Sequence, residues 1–491
     1  MRSFTCFPSI IGLGLGLSLA LACTDDVPSQ TGTETDTGST EGDGDPGDGD
    51  GDPGDGDGDP GDGDGDPGDG DPGVVWDGTW PTLDCDPLVP TYCAFPIPSN
   101  VYTVADPSAE TGLRVQLSEM AVPVSNSGGV TDVSVFNTRD GFSPGINMVT
   151  HLPGATTTGL PRPDDIDRSL TGASPTVIID AQTGEWVPHW SELDMSSGDA
   201  SRQAFLIRPA VRLDDAKRYI VAIRDVVDDA DTPLPPSEAF LALRDGLASA
   251  DASVEARRAL YEDIFARLED AGVARDNLQL AWDFTTASQT DTTSWLLHMR
   301  DEALAMVGPG GPAYQIDEII PDWQPGIAFR IRGQMEVPLY LDIPGPGGVI
   351  ELGDDGLPEL TGTAMYPFTV IIPSSAANEP AALLQFGHGL FGSYTGVDAT
   401  AGAAATYNLV SFGVSWIGMS NEDPGELVVA LGGGDLSAFK TLPDRLLQAH
   451  VNAQLAMRMM MGDFTPLRRI RRHTSRPSMS GRPTSRMITS K

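Results

Sequence analysis

The sequence predicts a chain of mixed α and β structure, in which a β-rich region precedes an α/β sheet. From Val74 to about residue 235, short strand-like runs are separated by turn signals. Beyond about residue 366 the order becomes strand, loop, helix, strand and helix, which is typical of the start of an α/β sheet. Residues 42–73, rich in Gly, Asp and Pro, contain nothing apolar to bury and predict a disordered acidic linker.

The β-rich region is predicted from three apolar runs that read as strands. They are "TVIID" (Thr176–Asp180), "QAFLIRP" (Gln203–Pro209) and "RYIVAIRDV" (Arg218–Val226). The segment "DAQTGE" after the first run supplies a glycine turn. These runs, with turn signals between them, indicate a β-rich region.

Two helices are predicted next. In the segment 253–272 the apolar residues recur with helical spacing, and Gly272 stands where the helix would stop; the face consists of Leu260, Ile264, Phe265 and Leu268. A second helix is predicted over Thr292–Gly308. Its His298 is interpreted as a packed or surface side chain and not as a ligand.

The α/β sheet is predicted from continuous apolar runs, which are expected of strands buried on both faces. The runs are Phe368–Pro373 and Ala381–Phe386, and the run Tyr407–Ser420 is expected to be a further strand. A helix follows over Leu442–Met461, with Pro443 in its first turn.

Charge is distributed unevenly along the 491 residues, whose net charge is −40. Residues 24–73 contain 16 Asp and 2 Glu with no Lys or Arg, whereas residues 464–491 contain seven Arg, one Lys and no acid. The body between them holds 52 acids and 21 bases. Because phosphate binding requires a basic surface, nucleic acid is not expected as a partner.

The N-terminal residues have the pattern of an export signal, so we expect the chain to be exported. Arg2 precedes an apolar stretch that is too short to span a membrane comfortably and ends at Cys23. The run "LSLALAC" resembles a bacterial lipobox, so Cys23 is the expected site of acylation and the chain is expected to be lipid-anchored, at the outer membrane or the cell surface. An ordinary signal peptide followed by a chance cysteine is the alternative.

Cys85 and Cys93 remain as a pair in an oxidising compartment, and we expect them to form a disulfide. Closing this short loop would stabilise the fold by about 2.5 kcal/mol on the chain-entropy relation. A metal site would need more ligands nearby, and no histidine lies within "CDPLVPTYC". No metal and no cofactor is predicted for the chain.

The acidic repeat is interpreted as a tether that lifts the folded part off a membrane. Glycine makes the segment flexible, and the like charges extend it. Calcium binding is an alternative, because Asp-Gly repeats occur in calcium-binding β-rolls, but the regular apolar positions of those rolls are missing here.

The segment "FGHGLFGS" at residues 386–393 is the candidate site. It follows a predicted buried strand, where α/β enzymes place their sites, and Gly387, Gly389 and Gly392 let the backbone approach a substrate. Acyl transfer requires N–H donors directed at a developing oxyanion, and the N–H of Leu390 is the natural candidate. A glycine-rich turn around a buried, satisfied His388 is the alternative.

Several segments in a common order resemble the bacterial virulence-factor lipase family. They are "DGFSP", "IDAQTGEWVPHWSELD", "LIRPAVRLDDAKRYIVAIRDVVD", "LAWDFTTAS" and "FGHGLFGS", and the resemblance spans roughly residues 80–463. It implies an exported α/β-hydrolase with a β-sandwich-like N-terminal domain and a lipid or carboxylic ester as substrate. By this resemblance Gly389 and Leu390 form the oxyanion hole, while His388, Gly387 and Gly392 support the loop and His388 is not the catalytic base.

The resemblance and the composition together predict six segments. They are a lipoprotein signal peptide (1–22), a disordered linker (23–73), a β-rich lipase-type domain with helices (74–290), a connecting helix and β segment (291–365), the N-terminal part of an α/β-hydrolase domain (366–463) and a basic disordered tail (464–491).

The nucleophile of such a hydrolase is not found after the candidate loop. These enzymes carry Ser within G-x-S-x-G on a strand-to-helix turn, followed by an acid and a His; this sequence has that pattern only as "GFSPG" (Gly141–Gly145), far before the loop, and not beyond residue 386. After Asp463 the composition changes abruptly, which we interpret as a frameshift or truncation before the nucleophile; a genuine basic tail is the alternative. We therefore expect a protein that resembles a lipase but is catalytically incomplete, or alternatively a surface lipoprotein that acts as a binding or display module.

Overall fold

The computed structural model describes residues 76–122, 131–433 and 436–464, all within one compact unit. The signal segment, Cys23, the acidic linker and the basic tail lie outside the described residues. The expectations for them therefore stay predictions.

The described residues form thirteen strands and seven α-helices. The strands are β1 Thr103–Ala105, β2 Leu113–Val115, β3 Met148–Thr150, β4 Thr176–Asp180, β5 His189–Leu193, β6 Phe205–Pro209, β7 Arg218–Arg224, β8 Leu278–Thr285, β9 Tyr314–Gln324, β10 Ile327–Leu339, β11 Gly362–Pro373, β12 Ala382–Phe386 and β13 Leu409–Val414. The helices are α1 Glu238–Arg244, α2 Ala252–Ala256, α3 Arg258–Asp270, α4 Gln289–Val307, α5 Ala401–Tyr407, α6 Pro424–Gly433 and α7 Thr441–Met461.

The first part of the chain is built from small antiparallel sheets. Two have three strands each, in the orders β3-β6-β5 and β4-β7-β8, and β1 pairs with β2. Every residue of β8 is buried, because helix α3 covers this sheet with the apolar face that its sequence predicts. A single hydrophobic core runs from Leu88 to Phe284.

The second part contains one five-stranded sheet in the order β12-β13-β11-β10-β9. Only β12 and β13 are parallel, and helix α5 lies in the crossover between them, as a parallel connection requires. Helices α4 and α7 pack together and contribute to the second core, which spans Met299 to Met459. The chain thus has several sheets with helices against them, a mixed α and β fold as predicted.

Several predicted elements are confirmed with small changes of boundary. Strand β4 has the predicted limits, and α7 begins one residue before its prediction. The helix predicted over residues 253–272 is interrupted: Arg257 leaves the helical conformation between α2 and α3, and its guanidinium forms a buried ion pair with Asp86 at 3.0 Å. Gly272 has φ of 84° just after α3, the left-handed conformation expected of a helix stop.

Two expectations for the α/β sheet are wrong. The strand predicted over Tyr407–Ser420 covers only Leu409–Val414, because the chain then turns toward the loop after β12. The run Ala381–Phe386 is not buried on both faces: Ala382 and Leu383 are exposed, since β12 is the edge of the sheet in the described part of the chain.

Candidate functional site

The candidate site lies at the carboxyl end of β12, where the predicted loop meets the segment that follows β13. The N–H of Phe391 donates to the carbonyl of Met419 at 2.7 Å, and the N–H of Asn421 donates to the carbonyl of Gly392 at 2.8 Å. These bonds join two loops that leave neighbouring parallel strands. The loop backbone is therefore fixed immediately after Leu390.

His388 is buried between the two loops, with 7% of its surface exposed. Its Nε2 accepts a hydrogen bond from the backbone N–H of Trp416 at 2.8 Å. Because that nitrogen accepts, the proton of the neutral ring is on Nδ1, which donates to the carbonyl of Gly389 at 2.8 Å. Both ring nitrogens are thus engaged in holding the loop, and neither is available to take a proton from a nucleophile.

Two of the loop glycines make room for neighbouring rings. A Cβ on Gly392 would lie 2.8 Å from Cβ of His388, and a Cβ on Gly387 would lie 3.0 Å from Nε1 of Trp416. A Cβ on Gly389 would meet nothing within 4 Å. The close packing at Gly392 requires glycine, whereas the position of Gly389 is open to solvent or to a ligand.

The backbone donors of Gly389 and Leu390 are the chemically notable groups of this loop. Within the described residues, no group accepts a hydrogen bond from either N–H. The Leu390 side chain is 71% exposed, and Phe391, which has φ of 57°, is 39% exposed. Two unpaired donors beside apolar side chains can bind an oxygen that carries negative charge on an apolar molecule.

The serines near this loop do not contact an imidazole in the described part of the chain. Ser420 donates to Oδ2 of Asp423 at 2.7 Å, and Ser415 accepts from the N–H of Tyr394 at 3.2 Å. His450 lies against Trp416 with ring centroids 4.8 Å apart, and partial burial lowers its pKa. Neither serine is therefore paired with a base.

The buried ion pair between Asp423 and Arg445 was not predicted from sequence. It joins the segment after β13 to helix α7 at 2.8 Å, and Asp423 also accepts from the N–H groups of Gly418 and Ser420. The segment "SNED" carries a weak signal, because an acid three residues after Ser is typical of a capped turn. The partner Arg445 could not have been identified without the fold.

A disulfide joins Cys85 and Cys93, as predicted. The loop that it closes forms one wall of an apolar cavity of about 240 Å³, with Leu88 and Val89 buried in that wall. At the rim, Oγ1 of Thr91 lies 2.8 Å from Nδ1 of His151, whose Nε2 bonds to the carbonyl of Ser201 at 3.0 Å. Sequence reasoning missed this pair, because residues 91 and 151 carry no recognisable motif.

Metal and membrane features are limited to what the described residues contain. Among them, no cluster of three or more His, Cys, Asp or Glu side chains is placed to hold a metal ion. No helix in the same ranges combines the length and the apolar character needed to cross a bilayer. Comparison of the chain with family models, curated proteins and solved structures finds no match.

Proposed function

We propose that this chain is an exported, lipid-anchored protein of the bacterial virulence-factor lipase type and that residues 387–393 form its oxyanion-binding loop. The supporting observation is the pair of unpaired N–H groups of Gly389 and Leu390 on a loop that His388 holds rigid. Preorganised donors of this kind stabilise the tetrahedral intermediate of acyl transfer.

The finer description of the fold belongs to the same proposal. The sheet that contains β12 and β13, with helices α4, α5 and α7, is the N-terminal part of an α/β-hydrolase domain. The loop at the carboxyl end of β12 supports this description, because α/β enzymes bind ligands there. The small antiparallel sheets before residue 290 form a sandwich-like domain.

The proposed substrate is a carboxylic ester with an apolar acyl chain. Leu390 and Phe391 place exposed apolar surface next to the two donors, and no charged residue occurs between Pro380 and Val397. An acylated Cys23 and the acidic linker would hold this site near a membrane that supplies lipid esters.

Catalysis is proposed to be absent from the 491-residue chain itself. The sequence has G-x-S-x-G only at Gly141–Gly145, where the exposed Ser143 accepts from the N–H of Gly145 at 3.2 Å. Neither Ser415 nor Ser420 beside the candidate loop bonds to an imidazole. Because nucleophile and base act as a unit, their loss leaves only the small acceleration due to binding and the oxyanion donors.

The donor assignment is tested by titrating the chain with a phosphonate monoester that carries a butyl group, which mimics the charged tetrahedral intermediate. We expect the amide NMR resonances of Gly389 and Leu390 to shift with saturation. Leu390→Pro removes one donor and should weaken binding at least about tenfold, corresponding to ~1.4 kcal/mol, whereas Leu390→Ala keeps the N–H and serves as the matched control.

Two results would contradict the proposal. One is equal binding by the proline and alanine variants, which would mean that the N–H is not a ligand. The other is hydrolysis of a butyrate ester by the chain that a serine-directed fluorophosphonate abolishes, which would reveal a nucleophile.

The alternative function is ligand binding through the N-terminal part, and the cavity beside the disulfide loop favours it. Its walls include Leu88, Val89 and Leu280, and its lining contains no Asp, Glu, Lys or Arg. A small uncharged ligand would fit this lining. In the same titration, shifts at Leu88 and Val89 without shifts at Gly389 and Leu390 would favour this second function.

A further inference from the structure

Strand β12 leaves one row of backbone groups open at the edge of the five-stranded sheet. The N–H of Ala382 donates toward β13, to the carbonyl of Asn408. In a parallel pair, the N–H and C=O of one residue point to the same side of the strand, and those of the next residue point to the other side. The N–H and C=O groups of Leu383 and Gln385 therefore point away from β13. In the described part of the chain, no strand or loop pairs with them.

Apolar side chains are exposed along the same edge. Leu383 is 38% exposed in the strand, and Leu390 and Phe391 follow its carboxyl end. Tyr407, 72% exposed, lies near its amino end, because Ala382 is in register with Leu409. An open edge with apolar residues is the arrangement that associates with another strand.

The edge is nearly uncharged in a strongly acidic chain. Between Pro380 and Asn421 the only Asp, Glu, Lys or Arg is Asp398, and its carboxylate is paired with Arg330. The whole chain carries a net charge of −40. Two copies that pair through this edge therefore bring no carboxylate of β12 or of its loop into contact.

Lipid is a poor occupant of this edge. Hydrocarbon offers no partner to the N–H and C=O groups of Leu383 and Gln385, and unpaired strand edges are avoided in bilayers for that reason. A polypeptide strand satisfies these groups. A second copy also brings a neutral edge of the same length.

We infer that β12 pairs antiparallel with β12 of a second copy, about a twofold axis beside Leu384. This axis places Leu383 of one copy opposite Gln385 of the other, so that each such pair exchanges both backbone hydrogen bonds. The contact uses the same patch on both subunits and closes at a dimer. The inference is independent of the proposed function.

Sedimentation velocity of the full chain over about 1 to 100 µM tests the dimer. We expect a concentration-dependent conversion of monomer to dimer. Leu383→Lys places like charges close to each other across the axis and should raise the dissociation constant at least about tenfold. Met195→Lys makes the same charge change at a side chain that is 73% exposed and lies just after β5, a strand of a different sheet from β12, and should leave the constant within about twofold.

A second pair of variants tests the backbone bonds. Leu383→Pro removes an N–H that points outward, which an edge strand tolerates, whereas Leu383→Ala keeps that N–H. We expect the proline variant to dimerise at least about tenfold more weakly than the alanine variant while retaining its far-UV circular dichroism.

Three outcomes would overturn the inference. The first is a protein that stays monomeric throughout the concentration range. If the amides of Leu383 and Gln385 exchange slowly in that monomer, another segment of the same chain covers the edge, and the inference is equally overturned. The second is a dimer insensitive to all the substitutions at Leu383. The third is growth beyond the dimer, which a closed twofold contact forbids.

Discussion

At the scale of single residues, His388 illustrates what sequence can and cannot provide. The motif around it predicted a glycine-rich loop after a strand, and the loop is there. The hydrogen bond from the N–H of Trp416 could not be predicted, because it depends on the register between β12 and β13. Local sequence thus identifies the loop, and the pairing of distant strands determines what its histidine does.

His189 provides a prediction for the dependence of stability on pH. Its ring is fully buried against Thr176, and burial lowers its pKa to about 4 from an ordinary 6.5. Between these values the unfolded chain binds a proton that the folded protein does not, so the free energy of unfolding falls as the pH drops below about 6.5. We expect this residue to account for a loss of about 2 kcal/mol between about pH 7.5 and pH 5.

Urea unfolding at the two pH values measures this loss. His189→Gln removes the titrating group, so the variant should be less stable near neutral pH but should lose less stability on acidification. An equal pH dependence in both proteins would rule out His189 as the source.

At the scale of elements, periodicity predicted most helices, whereas the interruptions depend on distant contacts. The break between α2 and α3 occurs at Arg257, whose partner Asp86 is 171 residues away in sequence. The predicted burial of β12 was wrong for the same kind of reason. A continuous apolar run does not say whether its strand is central or at an edge.

The loop after β12 yields a prediction that compares two glycines. Gly392→Ala places a Cβ against the His388 ring and should destabilise the fold by about 1–3 kcal/mol, because the ring is fixed by two hydrogen bonds. Gly389→Ala meets open space and should change the free energy of unfolding by less than about 0.5 kcal/mol.

Urea unfolding and the amide NMR resonance of Trp416 distinguish the two variants. The resonance should move in Gly392→Ala and stay in place in Gly389→Ala. If the Gly392 variant were as stable as the unmodified chain with an unmoved Trp416 resonance, the loop would not be packed as described.

At the scale of the whole molecule, the order of the elements along the chain was predictable, but the order of the strands within the sheet was not. Sequence indicated a β-rich part before an α/β part, and the described residues contain two large cores in that order. The arrangement β12-β13-β11-β10-β9 follows from contacts between distant segments, and composition and periodicity carry no information about such contacts. The resemblance implies a G-x-S-x-G nucleophile after the candidate loop, and no such motif follows residue 386, so its place in the fold could not be predicted.

The charge of the molecule predicts that salt stabilises it. Residues 74–463 hold 52 acids and 21 bases, so the folded body repels itself more than its expanded unfolded chain does. We expect the melting temperature to rise by several degrees between about 0.02 and 0.3 M NaCl, because the Debye length shortens to below 10 Å. The rise should shrink near pH 4.5, where carboxylates begin to be neutralised; a melting temperature that falls with salt at neutral pH would contradict the prediction.

The end of helix α7 determines where any following or fused segment departs from the sheet. The N–H of Asp463 bonds to the carbonyl of Gly310, and Phe464 packs against Tyr314 of β9 and Phe368 of β11. In the sheet, β11 lies two places and β9 four places from β12. Phe464 is therefore on average three strand spacings from β12, ~14 Å. A reporter domain fused directly after Phe464 would therefore start in the opposite half of the sheet from the loop of Leu390 and the β12 edge.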